Sequence, residues 1–308
     1  MTANEEQGKN TRRFISTKNL RVLGKGVSAI IYELSEDKIL KAFTTHYTES
    51  VLLEEFRLTK AVYDAGIKTM KAYEVVETDE FLGCVYERLY AKDLVHCMRE
   101  DKRRIEEYVR RFGEFVKNAH KIRLAKEEFK DAKDLMLAFS KDDETLEITK
   151  EEQEKLIAVV SSLPSCDNFS HGDCHVGNVM LKDGDLLFID LGRATRGNPL
   201  IDFSSMFIQY RYTSYHNMTD AYGVSQNAIG FTMEERRLIW DTYMRSLSGI
   251  EDEKELAELE RQINVIAAIR MLHVKFYNKR FLPQEVFKMF INDLTSYYDE
   301  GLQPFMKI

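Results

Sequence analysis

What the chain lacks narrows its class. Its 51 acidic residues outnumber 44 basic ones for a net charge of −7, so no basic excess exists to neutralise a nucleic-acid backbone, and none is expected as a partner. No apolar run approaches the roughly 20 residues of a membrane span, and the polar start MTANEEQGKNTRRF has no signal-like apolar region. Cys84, Cys97, Cys166 and Cys174 form no CxxC pair and no disulfide-like framework, so a reducing cytoplasm and no membrane association are expected. Internal repeats, low-complexity segments and Pro- or Ser-rich linkers are also missing. What remains is a globular composition, 308 residues with 44% hydrophobic and 31% charged, long enough for two modest cores.

The first part of the chain reads as β. Leu20–Leu23, Ile30–Leu34 and Lys38–Phe43 alternate as strands, with the glycine-rich turn Gly24-Lys25-Gly26-Val27-Ser28 between the first two. A helix from Thr48 to Ala65 ends at Gly66, and two further strands follow at 72–77 and 81–86. That predicts a five-stranded antiparallel sheet with one helix, and a boundary near 87–92. The rest is mainly helical: Ile105–Ile122, Leu135–Phe139, a helix opened by the capping box Thr149–Glu152, Asp202–Tyr212, a second capping box at Thr232–Glu235, Glu253–Tyr277, and a last helix with Pro283 in its first turn.

One stretch interrupts the helices, HGDCHVGNVMLKDGDLLFIDLGR from His171 to Arg193. Two apolar segments flank Lys182-Asp183-Gly184-Asp185, which predicts a β-hairpin. Asp173 and Asn178 precede its first strand, and Asp190 ends its second. Two carboxylates and an amide are hard oxygen ligands and a potential base, suited to Mg²⁺ and a phosphate. The glycines at 24 and 26 would let backbone N–H groups approach phosphates, although a plain hairpin turn explains them equally well. Lys41 on its strand, and Glu54 or Glu55 on the helix, read alone as ordinary surface residues.

In this order the pieces resemble the protein-kinase-like fold, and more closely its aminoglycoside phosphotransferase and choline kinase branch. The HGDxHxxN loop of that branch is matched by His171 to Asn178, its metal motif by Ile189-Asp190-Leu191-Gly192, and its later Pro-Leu-x-Asp by Pro199 to Asp202. The resemblance covers residues 20–205. It implies a bilobal α+β molecule: a nucleotide-binding lobe over 1–89, with a small antiparallel sheet and one helix, and a helical lobe over 90–308 with the catalytic loop and acceptor site.

The resemblance also implies roles. Lys41 would hold the nucleotide phosphates, oriented by Glu55, which stands at the family's distance from Ala65-Gly66-Ile67. Gly24, Gly26 and Ser28 would cover the phosphates, and the backbone of Glu87 and Leu89 would hold adenine at the hinge. Asp173 would orient or deprotonate the acceptor hydroxyl, with Asn178 and Asp190 binding Mg²⁺. ATP is the expected donor, with GTP as the alternative. His171, His175 and Asp202 would brace the loop.

Ala29 replaces the third glycine of a protein-kinase GxGxxG, HGD replaces HRD, and the interval from Asp190 to Asp202 is too short for a protein-kinase activation segment. A small-molecule hydroxyl acceptor is therefore expected over a protein. The acidic charge is compatible with a cationic one: aminoglycosides first, then choline-like amino alcohols, with sugars or amino acids as alternatives. The tyrosine-rich segment Tyr210–His216 and the carboxylates Asp299 and Glu300 are candidates to meet it. Two other readings compete: a nucleotide-binding pseudokinase without turnover, and a zinc cluster of His171, Asp173, Cys174 and His175.

Overall fold

The computed structural model describes residues 12–26, 29–44, 48–212, 226–277 and 284–306. The chain divides into two compact units at Tyr90/Ala91.

The first unit is a six-stranded sheet with one helix. Its strands are β1 (Phe14–Ile15), β2 (Val22–Lys25), β3 (Ala29–Glu33), β4 (Lys38–Phe43), β5 (Ala72–Thr78) and β6 (Leu82–Glu87), in the spatial order β1-β5-β6-β4-β3-β2. The sixth strand corrects the expected count: β1 pairs parallel to β5, while every other pair is antiparallel. Asp79 fastens this strap, accepting from the Thr17 amide at 2.5 Å and the Ser16 hydroxyl at 2.9 Å. A two-residue strand has no periodicity to read, which is why the pattern missed it.

Strand alternation puts Leu40 and Ala42 on one face with Val76 and Val85, forming a core packed by Ile15, Leu20, Tyr32 and Leu34. Lys41 is thereby turned to the opposite face. Helix α1 (Glu49–Asp64) starts at the Thr48 N-cap and buries Leu52, Glu55, Leu58, Thr59 and Val62. Gly66 follows at φ +82°, the left-handed stop after a helix.

The second unit is mainly helical. It contains β7 (Lys92–Asp93), α2 (Leu94–Glu100), α3 (Ile105–Ala119), α4 (Ala132–Phe139), α5 (Asp143–Leu146) and α6 (Lys150–Ser162) before the central stretch. After it come α7 (Phe203–Met206), a π-helical turn at Phe207–Tyr212, α8 (Met233–Ser248), α9 (Glu253–Tyr277) and α10 (Gln284–Asp299). Both expected capping boxes are present, at Thr149/Glu152 and Thr232/Glu235. Helices α3 and α8 approach closely: a Cβ on Gly113 would meet the Ser246 hydroxyl at 1.9 Å, and Phe112 stacks on Tyr243 with centroids 5.1 Å apart. Pro283 and the segment 213–216 lie outside the described residues. No described helix is long and apolar enough to cross a membrane.

Candidate functional site

The stretch around Asp173 is pinned at both ends. Strand β8 (Phe169–Ser170) pairs antiparallel with β11 (Thr195–Arg196), so the chain leaves and returns at one place. Between them β9 (Val179–Lys182) and β10 (Asp185–Phe188) form the expected hairpin, which β7 extends to three strands. Asp183 and Gly184 both take positive φ, 50° and 88°, the backbone of a two-residue turn matching strand twist. Ile189 N–H donates to the Asn178 carbonyl at 3.0 Å, which ties the segment bearing Asn178 to the one bearing Asp190. Asp190 itself sits at φ +59°, a left-handed conformation that an Asp tolerates better than most residues.

Asp202 organises the loop from beneath. Its Oδ1 accepts from the Ser170 hydroxyl and the Gly172 amide, and its Oδ2 from the His171 amide and His120 Nε2, all four at 2.9 Å. Burial alone would raise this carboxyl, but His120 and the other donors bring it below the usual range. Gly172 stands at φ +73°, and a Cβ there would fall 2.2 Å from the Arg193 carbonyl oxygen. Glycine is thus required twice over, by conformation and by space.

The histidines are fixed as neutral rings. The His171 Nδ1 accepts from the Asp173 amide at 3.3 Å while its Nε2 donates to the Ile189 carbonyl at 3.0 Å. The His175 Nδ1 accepts from the Gly177 amide at 3.1 Å and from Asn227 Nδ2 at 3.2 Å. Its Nε2 hydrogen then lies on the side of Asp173 Oδ1, 3.6 Å away. Burial first, opposed by the Asp173 carboxylate and reinforced by the Arg270 guanidinium, lowers His175 to about 4.

These bonds leave the two oxygens of Asp173 unlike each other. Oδ1 accepts from Arg270 Nη2 at 2.6 Å and from the Ser205 hydroxyl at 3.2 Å, and Arg270 Nη1 donates to the Gly172 carbonyl at 2.5 Å. Among the described residues Oδ2 has no hydrogen-bond partner. Burial would raise this carboxyl, but the Arg270 guanidinium, with Arg193 adding to it, holds it far below the usual carboxylate range. Arg270 comes from α9, 97 residues further along the chain. The sequence reading missed it, because one arginine in an apolar helix segment carries no motif.

Asn178 Nδ2 donates to the Asp173 carbonyl at 3.0 Å. Its amide oxygen accepts no hydrogen bond from the described residues and is available as a ligand. With the Asp190 carboxylate on the tied segment, the donor set is two hard oxygens. That fits Mg²⁺, which keeps waters and takes phosphate oxygens for its other positions. The zinc reading is overturned. No group of three or more His, Cys, Asp or Glu among the described residues is placed to hold a metal, His171 spends both ring nitrogens on backbone, and the Cys174 thiol is buried against the Tyr243 hydroxyl at 3.7 Å.

In the first unit, Lys41 Nζ donates to Glu55 Oε1 at 2.5 Å, with side chains 14% and 7% exposed, so the pair is largely withdrawn from water. Glu54 pairs instead with Arg57. Only Glu55 shares the buried face of α1, at helical spacing from Leu52, Thr59 and Val62. Gly24 and Gly26 have ordinary φ values, and an added Cβ would meet nothing at Gly24 and only the Ala29 carbonyl at 3.5 Å at Gly26. Ser28 lies outside the described residues. The Glu87 amide donates to the Lys71 carbonyl at 2.8 Å. Leu89 N–H has no partner among the described residues.

Asp299 and Glu300, suggested for a cationic acceptor, are paired with Lys155 and Arg261 and exposed by more than half.

A comparison of the sequence with curated proteins found no match. Solved structures do resemble the chain. The ADP-bound aminoglycoside phosphotransferase APH(2'')-Ib superposes with a TM-score of 0.55 at 15% identity, covering 89% of this chain and 91% of its own. The streptomycin–ATP ternary complex of APH(2'')-IIa gives 0.54 at 16%, covering 90% of each chain. A choline/ethanolamine kinase family protein from Mesorhizobium loti gives 0.55 at 13%, covering 94% and 90%. The α+β fold of this chain is therefore that of the aminoglycoside kinases. The family model described as the phosphotransferase enzyme family, APH, matches residues 19–239, a span that includes the sheet, the Asp173 loop and Asp190, and the chain belongs to that family.

Proposed function

We propose that the protein transfers the γ-phosphoryl group of ATP, or of GTP, to a hydroxyl of a small molecule. The observation that carries this is the state of Asp173: one oxygen is fixed by Arg270 and Ser205, and the other has no described partner. A hydroxyl donating to Oδ2 would be oriented for in-line attack. Because Arg270 holds Asp173 ionised, its contribution is chiefly to orient that hydroxyl and accept its proton late, which suits a loose phosphoryl-transfer transition state.

In this reading Lys41, held by Glu55, binds the nucleotide phosphates, and Gly24 and Gly26 give them access to backbone amides. The Glu87 carbonyl and Leu89 amide hold adenine. Nothing among the described residues requires the two glycines for packing, which supports a ligand as their reason. Asn178 and Asp190 would hold Mg²⁺, which would supply charge neutralisation to the nucleotide phosphates.

The test is a coupled nucleotide-turnover assay with a panel of hydroxyl acceptors. Asp173→Asn should keep the fold and lose about 10²–10⁴-fold in kcat. Asp190→Ala should abolish the Mg²⁺-dependent rise in Tm with ATP, which at about 100 times the dissociation constant corresponds to about 2.7 kcal/mol in the wild type. Mg-ATP binding without turnover of any acceptor would give the non-catalytic reading instead.

A further inference from the structure

Gly177 stands immediately before Asn178 in a single 3-10 turn, Val176–Asn178. Unlike Gly172 it has no positive φ, so its backbone admits any residue. The space around it does not. A Cβ at 177 would fall 2.8 Å from the side-chain oxygen of Asn227, 3.0 Å from its nitrogen and 3.1 Å from the carbon between them. The Asn227 amide therefore covers the glycine.

The same amide bonds the turn. Within the loop, His175 Nδ1 accepts from the Gly177 amide at 3.1 Å, and the His175 carbonyl accepts from the Asn178 amide at 2.9 Å. Both bonds are local and move with the loop. Asn227 lies 52 residues further along, and its Nδ2 donates to His175 Nδ1 at 3.2 Å. Gln209 fixes which end of the amide faces the ring, because its Oε1 accepts from the same Nδ2 at 3.1 Å. Two hydrogens meet two acceptors, whereas a flipped amide would set its oxygen against both.

Asn227 is itself held. Its carbonyl accepts from the buried Tyr210 hydroxyl at 3.2 Å and from Arg99 Nη2 at 3.3 Å, and Arg99 Nε donates to the Ile229 carbonyl at 3.1 Å. Arg99 belongs to α2 and Tyr210 to the π-helical turn, which also supplies Gln209. Such turns are frequent at functional positions.

We propose that Asn227 is a positioning residue for phosphotransfer. It clamps the His175–Asn178 turn from outside the loop and thereby fixes the Asn178 side-chain oxygen that would hold Mg²⁺. The proposal rests on the phosphotransfer reading. Asn178 Nδ2 is tied to the Asp173 carbonyl, so a shift of the turn disturbs the metal ligand and the carboxylate loop together.

The experiment uses the full chain, wild type and Asn227→Leu, which keeps the volume over Gly177 and loses the donor. Mg²⁺ is titrated at a fixed concentration of a non-hydrolysable ATP analogue with Tm as the readout, and amide hydrogen exchange is followed without ligand. In Asn227→Leu the Mg²⁺ concentration at half-effect should rise about 3- to 10-fold, the effect of one lost hydrogen bond, with analogue affinity in the absence of Mg²⁺ within about twofold of wild type. The Asn178 amide should exchange about 3- to 10-fold faster. A residue that only packs would lower Tm and leave both readouts unchanged, which overturns the proposal. So does faster exchange with an unchanged Mg²⁺ response, which would separate the clamp from the metal ligand. Should Asn227→Leu fail to fold, Gly177→Ala tests the same contact: its effect on the Mg²⁺ response should be smaller in an Asn227→Ala background than alone, and additive effects overturn the clamp. Failure of the phosphotransfer reading shows separately, as a wild type whose Tm does not respond to Mg²⁺ and nucleotide, and the exchange comparison then still decides whether Asn227 holds the turn.

Discussion

At the scale of single residues, the bond from Arg270 to Asp173 sets how the site responds to acid. A carboxyl held far below its ordinary range stays ionised well into acid, so the wild-type acceptor reaction should show no Asp173 limb near neutrality. In Arg270→Gln the guanidinium is gone and the carboxyl returns upward. The acid limb of the kcat/KM profile should then move to higher pH, and kcat should fall about 10- to 100-fold for the loss of one charge-assisted bond. A profile that drops uniformly without moving would make Arg270 a packing residue only. Asp173, Asn178 and Asp190 were legible in the sequence because a loop keeps its polar residues at fixed spacing from one another. Arg270 was not legible, because its relation to Asp173 exists only after α9 has packed. Glu55 was chosen over Glu54 only by the family's distance from Ala65-Gly66-Ile67, and the structure puts Glu55 on the buried face of α1 and Glu54 beside Arg57.

At the scale of elements, the glycine turn and the hairpin make opposite uses of the same residue. Gly172 is required by the fold itself, whereas Gly24 and Gly26 have room for a side chain. Alanine at 24 and 26 should therefore leave Tm almost unchanged, within about 0.5 kcal/mol. The same changes should raise the ATP dissociation constant about tenfold by obstructing amide contacts to phosphate. A large loss of Tm, or unchanged ATP binding, would return the turn to a plain hairpin connection. The longer elements could be read from the chain because periodicity, capping boxes and the Asp-Gly turn act locally. The two-residue strands β1, β7, β8 and β11 could not, since their pairing is decided by partners far away in sequence.

For the molecule as a whole, buried neutral histidines couple stability to pH. His175 and His273 are both held at about 4, against about 6.5 for an unfolded chain. Between those values the unfolded chain binds protons that the folded one refuses. Stability is therefore complete above about pH 6.5 and declines as pH falls, by on the order of 2 kcal/mol per histidine near pH 5. Asp202, whose carboxyl is lowered in the folded state, extends the loss to still lower pH as it protonates. Thermal melts at neutral pH and near pH 5 should show the fall in Tm, and a flat profile would contradict two buried neutral rings. Salt should change it little, because the groups involved are shielded from solvent ions.

The two backbone amides that donate to Asp202 have a kinetic consequence. His171 and Gly172 hand their N–H groups to a carboxylate with no exposure of its own, so exchange of those hydrogens with solvent requires the surrounding core to open. The loop bearing Asp173 accordingly belongs to the slowest-opening part of its unit, unlike the mobile loops on which many reactive groups sit. Its geometry is ready before any ligand arrives. Hydrogen exchange should find the His171 and Gly172 amides among the slowest of the unit.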